Sequence, residues 1–182
     1  VYKRQVLFLA EEVTHLGIED KGRKGMIFIP QGGNIFPNLS VYENLEIAGC
    51  VLKDHQKLKE AVQGALDTFP AIRGMRNRPA RELSGGQRQM LALSRILLLH
   101  PKLVLLDEPS LGLAPLVVEH IFQEIRSMNH SGISFLLVEQ NARKGLAVSH
   151  RGYVLELGKN RLTGTGEALL NNPEVQRLYL GG

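Results

Sequence analysis

Residues 83–109 read LSGGQRQMLALSRILLLHPKLVLLDEP, and this stretch decides the fold. Its two halves have different periods. Ser84 stands where a helix N-cap belongs, and Met90, Leu91, Leu93, Ile96, Leu97 and Leu98 follow at helical spacing. The helix is expected to run to His100, where Pro101 breaks it. Residues 103–108, LVLLDE, are a continuous apolar run, the pattern of a parallel strand covered on both faces. Such a strand delivers Asp107 and Glu108 to the carboxyl edge of a sheet, which is where open α/β folds bind ligands.

Each half has a chemical reading beside a plain one. Gly85 and Gly86 let a backbone approach a ligand closely, and the helix that starts there points free N–H groups and a positive dipole end outward. With the Ser84 hydroxyl they can hold a terminal phosphate; the plain alternative is a capped turn. Asp107 and Glu108 suit phosphoryl transfer, one carboxylate holding Mg²⁺ through water and the other orienting or deprotonating an attacking water. The plain alternative is a hydrophobic strand that ends in acidic residues at a loop.

Outward from this stretch, VLFLAEEVT (6–14) reads as a short strand with its turn, and HLGIEDKGRKG as a polar helical turn ended by Gly25. MIFIP (26–30) fits a buried strand. QGGNIFPNLS is a loop, and Ser40 is placed to cap a helix over VYENLEIAGC. A second helix is expected over 53–69, and then an exposed connection, AIRGMRNRPAR, with Arg73, Arg76, Arg78 and Arg81. Beyond Glu108, PLVVEHIFQEIRSMN is an amphipathic helix, SFLLVEQ (134–140) a buried strand, NARKGLAVS a helix and GYVLELG a strand. KNRLTGTG reads as a turn, and EALLNNPEVQRLYLGG as helix. From about residue 101 the alternation of strand and helix predicts an α/β fold with a mostly parallel sheet. The all-helical span of about 40–100 predicts a helical subdomain inserted beside it.

The 182 residues are 43% hydrophobic and 22% charged, ordinary for a globular domain of about 100–200 residues. A net charge of +4 and a pI near 9.3 fit a nucleotide, a nucleic acid or an anionic surface, and equally a solvated basic face. The arginine run lacks the aromatic interleaving of a stacking platform, so no nucleic-acid partner is expected. A lone cysteine, Cys50, excludes an internal disulfide and is expected to be a small core residue. The histidines form no metal-ligand spacing, and His15, His55, His120, His130 and His150 are read as surface or packing residues. No apolar run reaches the roughly 18 residues of a membrane span and no signal peptide opens the chain, so a cytoplasmic protein is expected. VYKRQ (1–5) fits poorly with the residues after it and reads as a non-native leader.

LSGGQ running into PKLVLLDEPS resembles the signature motif and Walker B strand of the ATP-binding cassette (ABC) ATPases. Further marks fall in register: Gln31 after MIFIP at the Q-loop position, SLGLAP at the D-loop, and LLVEQN at the switch. The resemblance runs from about residue 6 to the end. Within the family, PQGGNIFPNLSVYENL, LSGGQRQMLALSR, DEPSLGLAP, LLVEQNARKGL, RGYVLELG and YLGG resemble the second ATP-binding subunit of branched-chain amino-acid importers. Gln140 stands at the switch where the wider family has histidine, and Leu113 ends the D-loop in place of aspartate. Glutamine can hydrogen-bond a γ-phosphate but cannot lend it positive charge.

The resemblance implies a P-loop NTPase-like fold, ATP and Mg²⁺ as ligands, and a division of roles. Glu108, Gln140 and Gln31 would be catalytic on this chain's own nucleotide, with Asp107 (through water) and Gln31 at the metal. Ser84, Gly85, Gly86 and Gln87 would close over the ATP of a partner subunit. Implied partners are a second ABC ATPase subunit, transmembrane permeases faced by residues 31–70 and, indirectly, a solute-binding protein, with the chain peripheral on the inner membrane face. No stretch reads G-x-x-x-x-G-K-[ST], the loop that cradles phosphates. The chain is therefore expected to be an N-terminally truncated cassette. Alone it should bind ATP poorly, hydrolyse it negligibly and leave an apolar sheet face exposed. Alternatives are an ATP-incompetent module that only pairs with an ATPase or permease, and an importer ATPase for urea or amides. A soluble ABC protein of repair or translation would carry coiled coils, zinc hooks or paired cassettes, which are not seen.

Overall fold

The structure is a computed structural model that describes residues 4–32 and 34–179. Residues 1–3 of the expected leader, Gly33 and the terminal residues 180–182, which hold most of the YLGG stretch, lie outside the described residues. The chain opens with a small antiparallel hairpin, β1 (Leu7–Phe8) and β2 (Glu11–Glu12), where one strand and its turn are expected from the sequence. Helix α1 (Ile18–Arg23) follows, and Gly25 (φ +91°) turns the chain into β3 (Met26–Ile29).

Between β3 and the next strand of its sheet the chain is helical. Helix α2 (Val41–Ala48) starts at Ser40, which forms a reciprocal capping box with Glu43. Side-chain and backbone hydrogen bonds from Ser40 hold the Glu43 carboxyl below its usual range. Helices α3 (His55–Thr68) and α4 (Pro70–Arg73) lead to α5 (Gly85–Leu99). On α5, Met90, Leu91, Leu93, Ile96 and Leu98 are buried as their spacing requires. His100 ends the helix in the left-handed region (φ +41°) ahead of Pro101.

Two expectations in this span are corrected. The arginine-rich connection is no free linker, because Ile72 and Ala80 are fully buried in it. Its carbonyls also serve α2: Val41 and Tyr42 donate their N–H groups to Arg78 (3.1 Å) and Arg76 (2.9 Å). Two of the unpaired donors that every helix start leaves are thereby satisfied. Cys50 is exposed and not a core residue, since α2 ends at Ala48 and the cysteine sits on the one-turn 3₁₀ segment beyond it.

The central sheet has the order β3–β4–β5, all parallel, with β4 (Leu103–Asp107) in the middle and β5 (Ser134–Val138) on its far side. Helix α6 (Pro115–His130) connects β4 to β5. One face of the sheet, with Ile29, Val104 and Leu106, joins the core formed with α5 and α6. The other carries Phe28, Leu136 and Val138 at 59%, 53% and 56% exposure. The expected apolar exposed face is thus present, and among the described residues nothing covers Phe28, Leu136 and Val138 on that side. An unbroken apolar run reports hydrophobicity on both sides of a strand, not what lies against each.

After β5, α7 (Ala142–Val148) leads into β6 (Gly152–Glu156) and β7 (Lys159–Gly164). Here KNRLTG is a strand and not a turn, and it pairs antiparallel with β6 apart from the central sheet. Polar residues alternating on a solvent-facing hairpin give no apolar signal to read. Two short helices, α8 (Gly166–Leu170) and α9 (Pro173–Tyr179), close the described chain where one was expected.

Asn44 is buried completely on the core face of α2. Its amide donates to the carbonyls of Phe36 (2.9 Å), Leu39 (3.2 Å) and Ser40 (2.9 Å), and its oxygen accepts from Phe36 N–H (2.8 Å). This side chain pins the loop after β3 to α2, beside the backbone bonds of Ala80 and Arg81 to Leu39 (2.8 Å) and Pro37 (2.8 Å). Asn44→Leu leaves those groups without partners and is expected to lower stability by about 2–3 kcal/mol. Urea denaturation measures this, and an unchanged midpoint would show that the loop does not depend on Asn44.

Candidate active site

The three parallel strands end at one edge, and the expected site residues sit where the chain leaves them. Asp107 is the last residue of β4 and lies half-buried opposite Val138. Glu108 follows with φ +46°, a left-handed backbone that is uncommon for a residue with a side chain. It is held there from both sides: its N–H donates to Val138 O (2.9 Å), and its carbonyl accepts from Leu111 N–H (3.2 Å). Such conformers cost about 1–3 kcal/mol, persist where the surroundings over-determine them, and cluster at active sites.

Gln140, two residues past β5, reaches across and donates its amide Nε2–H to Glu108 Oε1 at 3.0 Å. Gln31 emerges two residues past β3. With Gly32, Gly85, Arg88, Glu108 and Gly112, it lines a cleft of about 250 Å³. That volume is below the roughly 300–1,000 Å³ of complete small-molecule pockets and suits part of a ligand, such as a phosphate group. A second cleft of about 280 Å³ lies between α6 and α7, partly bridged by the Lys144–Glu119 ion pair (2.8 Å), which holds the Glu119 carboxyl below its usual range. None of the expected site residues lines it.

The signature residues divide by environment. Ser84 and Gly85 are exposed at the α5 N-terminus, whereas Gly86 is buried. A Cβ on Gly86 would stand 2.8 Å from Val117 Cγ1, so this glycine is required by the contact of α5 with α6. Gln87 turns back into a capping box: its side-chain oxygen accepts from Ser84 N–H (2.9 Å), and Ser84 Oγ accepts from Gln87 N–H (3.3 Å). The structure therefore joins Gln31, Glu108 and Gly85 in one cleft and Gln140 to Glu108, and it places Gln87 in the helix cap. Among the described residues no cluster of three or more His, Cys, Asp or Glu could hold a metal by itself.

Two further residues shape the site without having stood out in the sequence. Arg95 on α5 donates to the Asn34 carbonyl and lies over the Phe36 ring at 5.8 Å, tying the signature helix to the Q-loop segment. Burial pushes its pKa down. Glu139 accepts from the backbone N–H of Ser110 (3.0 Å) through one oxygen and of Asn141 (2.9 Å) through the other. An arginine amid the apolar positions of α5, and a carboxylate directly before Gln140, were the available signals.

A parallel α/β layer with a helical insertion, a strained glutamate at the carboxyl edge and a glycine-led helix over the same cleft define the ATPase domain of an ATP-binding cassette. The family model for ABC transporters matches residues 3–111, and the chain belongs to that family of ATP-hydrolysing transporter subunits. It is 40% identical to the high-affinity branched-chain amino acid transport ATP-binding protein BraG of Pseudomonas aeruginosa, over 97% of this chain and 76% of that one. It is 36% identical to the probable branched-chain amino acid transport ATP-binding protein LivF of Archaeoglobus fulgidus, over 100% of this chain and 77% of the relative. Among solved structures, an ATP-binding cassette of an ABC transporter in its ADP conformation superposes with a TM-score of 0.76 at 25% identity, covering 98% of this chain and 77% of that one.

The contact of Gly86 with Val117 is open to a direct test. Gly86→Val is expected to cost about 1–3 kcal/mol by overpacking, with a large part recovered in the Val117→Ala background. Thermal unfolding of the four members of the cycle measures the coupling. Equal losses in both backgrounds would show that the two side chains do not compete for the same space.

Proposed function

We propose that this chain is the ATP-hydrolysing subunit of an importer for branched-chain amino acids. The observation that carries the reading is the meeting of Gln31 and Glu108 in one cleft, with Gln140 on the Glu108 carboxylate. The relatives named for branched-chain amino acid transport support the cargo. No helix among the described residues is long and apolar enough to cross a membrane. The subunit would accordingly sit at the cytoplasmic face on transmembrane permeases, pair with a second ATPase subunit, identical or not, and serve a solute-binding protein through them.

In this reading Glu108 orients the attacking water and takes up its proton, and the Gln140 contact fixes the carboxylate that does so. Gln140 is also the residue to hydrogen-bond the γ-phosphate, without adding charge. Asp107 and Gln31 offer hard oxygen donors at the carboxyl edge, which suits Mg²⁺ held by one carboxylate together with substrate phosphates. When bound, Mg²⁺ neutralises charge on the phosphate oxygens. Ser84, Gly85 and Gly86 cap the ATP of the partner subunit, with the α5 dipole directed at its phosphates. Gln87 reaches that ATP only by leaving its cap on Ser84.

A second reading has its own observation: within the 182 residues no G-x-x-x-x-G-K-[ST] offers a phosphate cradle. An ATP-incompetent module would pair with an ATPase or permease and complete its partner's site through Ser84 and Gly85. ATP binding and turnover, measured on the protein as the cell makes it with its partner subunits, separate the two. Pairing without ATP binding by this subunit would favour the module.

Glu108→Gln keeps the shape and removes the base. It is expected to leave ATP affinity within about two-fold and to cut turnover by at least about a hundred-fold. Near-normal turnover would exclude Glu108 as the base. Ser84→Arg, made in the Glu108→Gln background, is expected to abolish the ATP-dependent dimer on gel filtration. A dimer that still forms would remove the signature residues from the partner's nucleotide.

A further inference from the structure

We infer that Glu139 is a positioning residue for the hydrolytic site: its carboxylate ties the loop after β4 to the loop after β5 and so sets Glu108 against Gln140. Naming the reaction rests on the proposed function; the tie itself rests on geometry.

Three consecutive residues at the end of β5 hold the Glu108–Ser110 segment. Val138 accepts the Glu108 N–H through its carbonyl (2.9 Å), Glu139 accepts the Ser110 N–H (3.0 Å), and Gln140 donates to the Glu108 carboxylate (3.0 Å). The middle contact holds the backbone of both loops, because the second Glu139 oxygen accepts from Asn141 N–H (2.9 Å), next to Gln140. The two N–H donors reach two different oxygens of one side chain. Glutamate provides them; glutamine has one oxygen and an NH₂ that would face a second N–H. Both bonds are charge-assisted, the stronger class.

The surroundings hold this arrangement in place. Ser110 is only 8% exposed, so its N–H has little access to water as a substitute. The stem of Glu139 lies against Gly145 of α7, where an added Cβ would come within 3.3 Å of Glu139 Cβ and 3.6 Å of Cγ. Glu108 is left-handed and stays so only while its neighbours over-determine it. Loss of the Glu139 tie frees the Ser110 side of that constraint. The distance between the proton-accepting carboxylate and the switch amide is then no longer fixed, and misplacement of about 1 Å can cost about a hundred-fold in rate.

The test combines a local and a kinetic readout. Amide hydrogen exchange of the full chain, resolved by NMR, reports the two N–H groups, and ATP turnover of the assembled transporter reports the chemistry. Glu139→Ala is expected to speed exchange at both Ser110 and Asn141 by about ten-fold or more, with the β4 amides unchanged, and Glu139→Gln at one of them. In the transporter, Glu139→Ala should lower kcat by about ten-fold or more with KM for ATP within about two-fold, and Glu139→Gln should recover part of the loss. Gly145→Ala, which crowds the Glu139 stem, should move both readouts the same way despite the higher helix propensity of alanine. Unchanged exchange in Glu139→Ala overturns the tie. Faster exchange with unchanged kcat overturns the positioning role. Faster exchange in Glu139→Ala, together with a wild-type assembly that hydrolyses no ATP, leaves the tie standing and removes the proposed function.

Discussion

Parallel pairing of β4 on both of its edges is the constraint on which the site depends. Residues 103–106 pair with β3 and residues 103–107 with β5, so the middle strand cannot shift register without breaking two ladders. In a parallel sheet the carboxyl ends of all strands meet at one edge. Gln31, Asp107–Glu108 and Gln140 leave three different strands within a residue or two of those ends. Their proximity follows from the register, although more than a hundred residues separate the first from the last. The slanted ladder carries no information about the loops beyond it. That is supplied by the Val138, Glu139 and Gln140 contacts to the β4 loop, which convert a shared edge into a defined spacing.

Much of this was legible in the sequence because the decisive elements obey local rules. Ser84 and Ser40 read as helix N-caps, and the structure adds that Gln87 and Glu43 complete capping boxes whose two hydrogen bonds lie within four residues. The α5 core positions follow from a 3.6-residue period, and Pro101 marks the stop. What escaped depends on partners distant in sequence. Cys50 looked buried because its neighbours are apolar, but α2 ends two residues before it. Residues 71–81 looked like an exposed connection because they are basic. Their backbone nevertheless caps α2, and Ile72 and Ala80 fill the core, while arginines at its rim make separate contacts: Arg73 with Asp67 (3.1 Å), Arg76 over Tyr42 (5.7 Å), Arg81 with Asn38 (3.2 Å). Charge on a side chain does not reveal where the backbone beneath it is anchored. At the site, the motif residues were readable as a set, and Glu139 was not, because its bond to Ser110 spans 29 residues and only its bond to Asn141 is local.

The adjacent signature glycines show how one motif can meet two separate physical demands. Gly85 is open, at the helix end where unpaired N–H groups face outward. Gly86 is closed against Val117, where no side chain fits. Replacing the first changes what the helix end can approach; replacing the second moves the helix itself. Read only as a flexible pair, the two would seem interchangeable. The packing makes Gly86 a condition for the placement of Gly85, since the contact with α6 fixes where the exposed N-terminus of α5 points.

That placement has a simple geometric origin. Helix α5 has 15 residues, about 22 Å at 1.5 Å per residue. Strand β4 has five, about 16 Å at 3.3 Å per residue. The left-handed His100 and Pro101 reverse the chain between them within a few residues, so the strand runs back along the helix. The near match in length is consistent with the start of α5 reaching the end of β4, where Gly85 and Glu108 line one cleft. Gly85 and Glu108 can line one cleft because of this near match in length, although 23 positions separate them. A helix one turn shorter would draw the signature end back about 5 Å towards the sheet. The glycine end and the glutamate loop would then no longer line the same cleft.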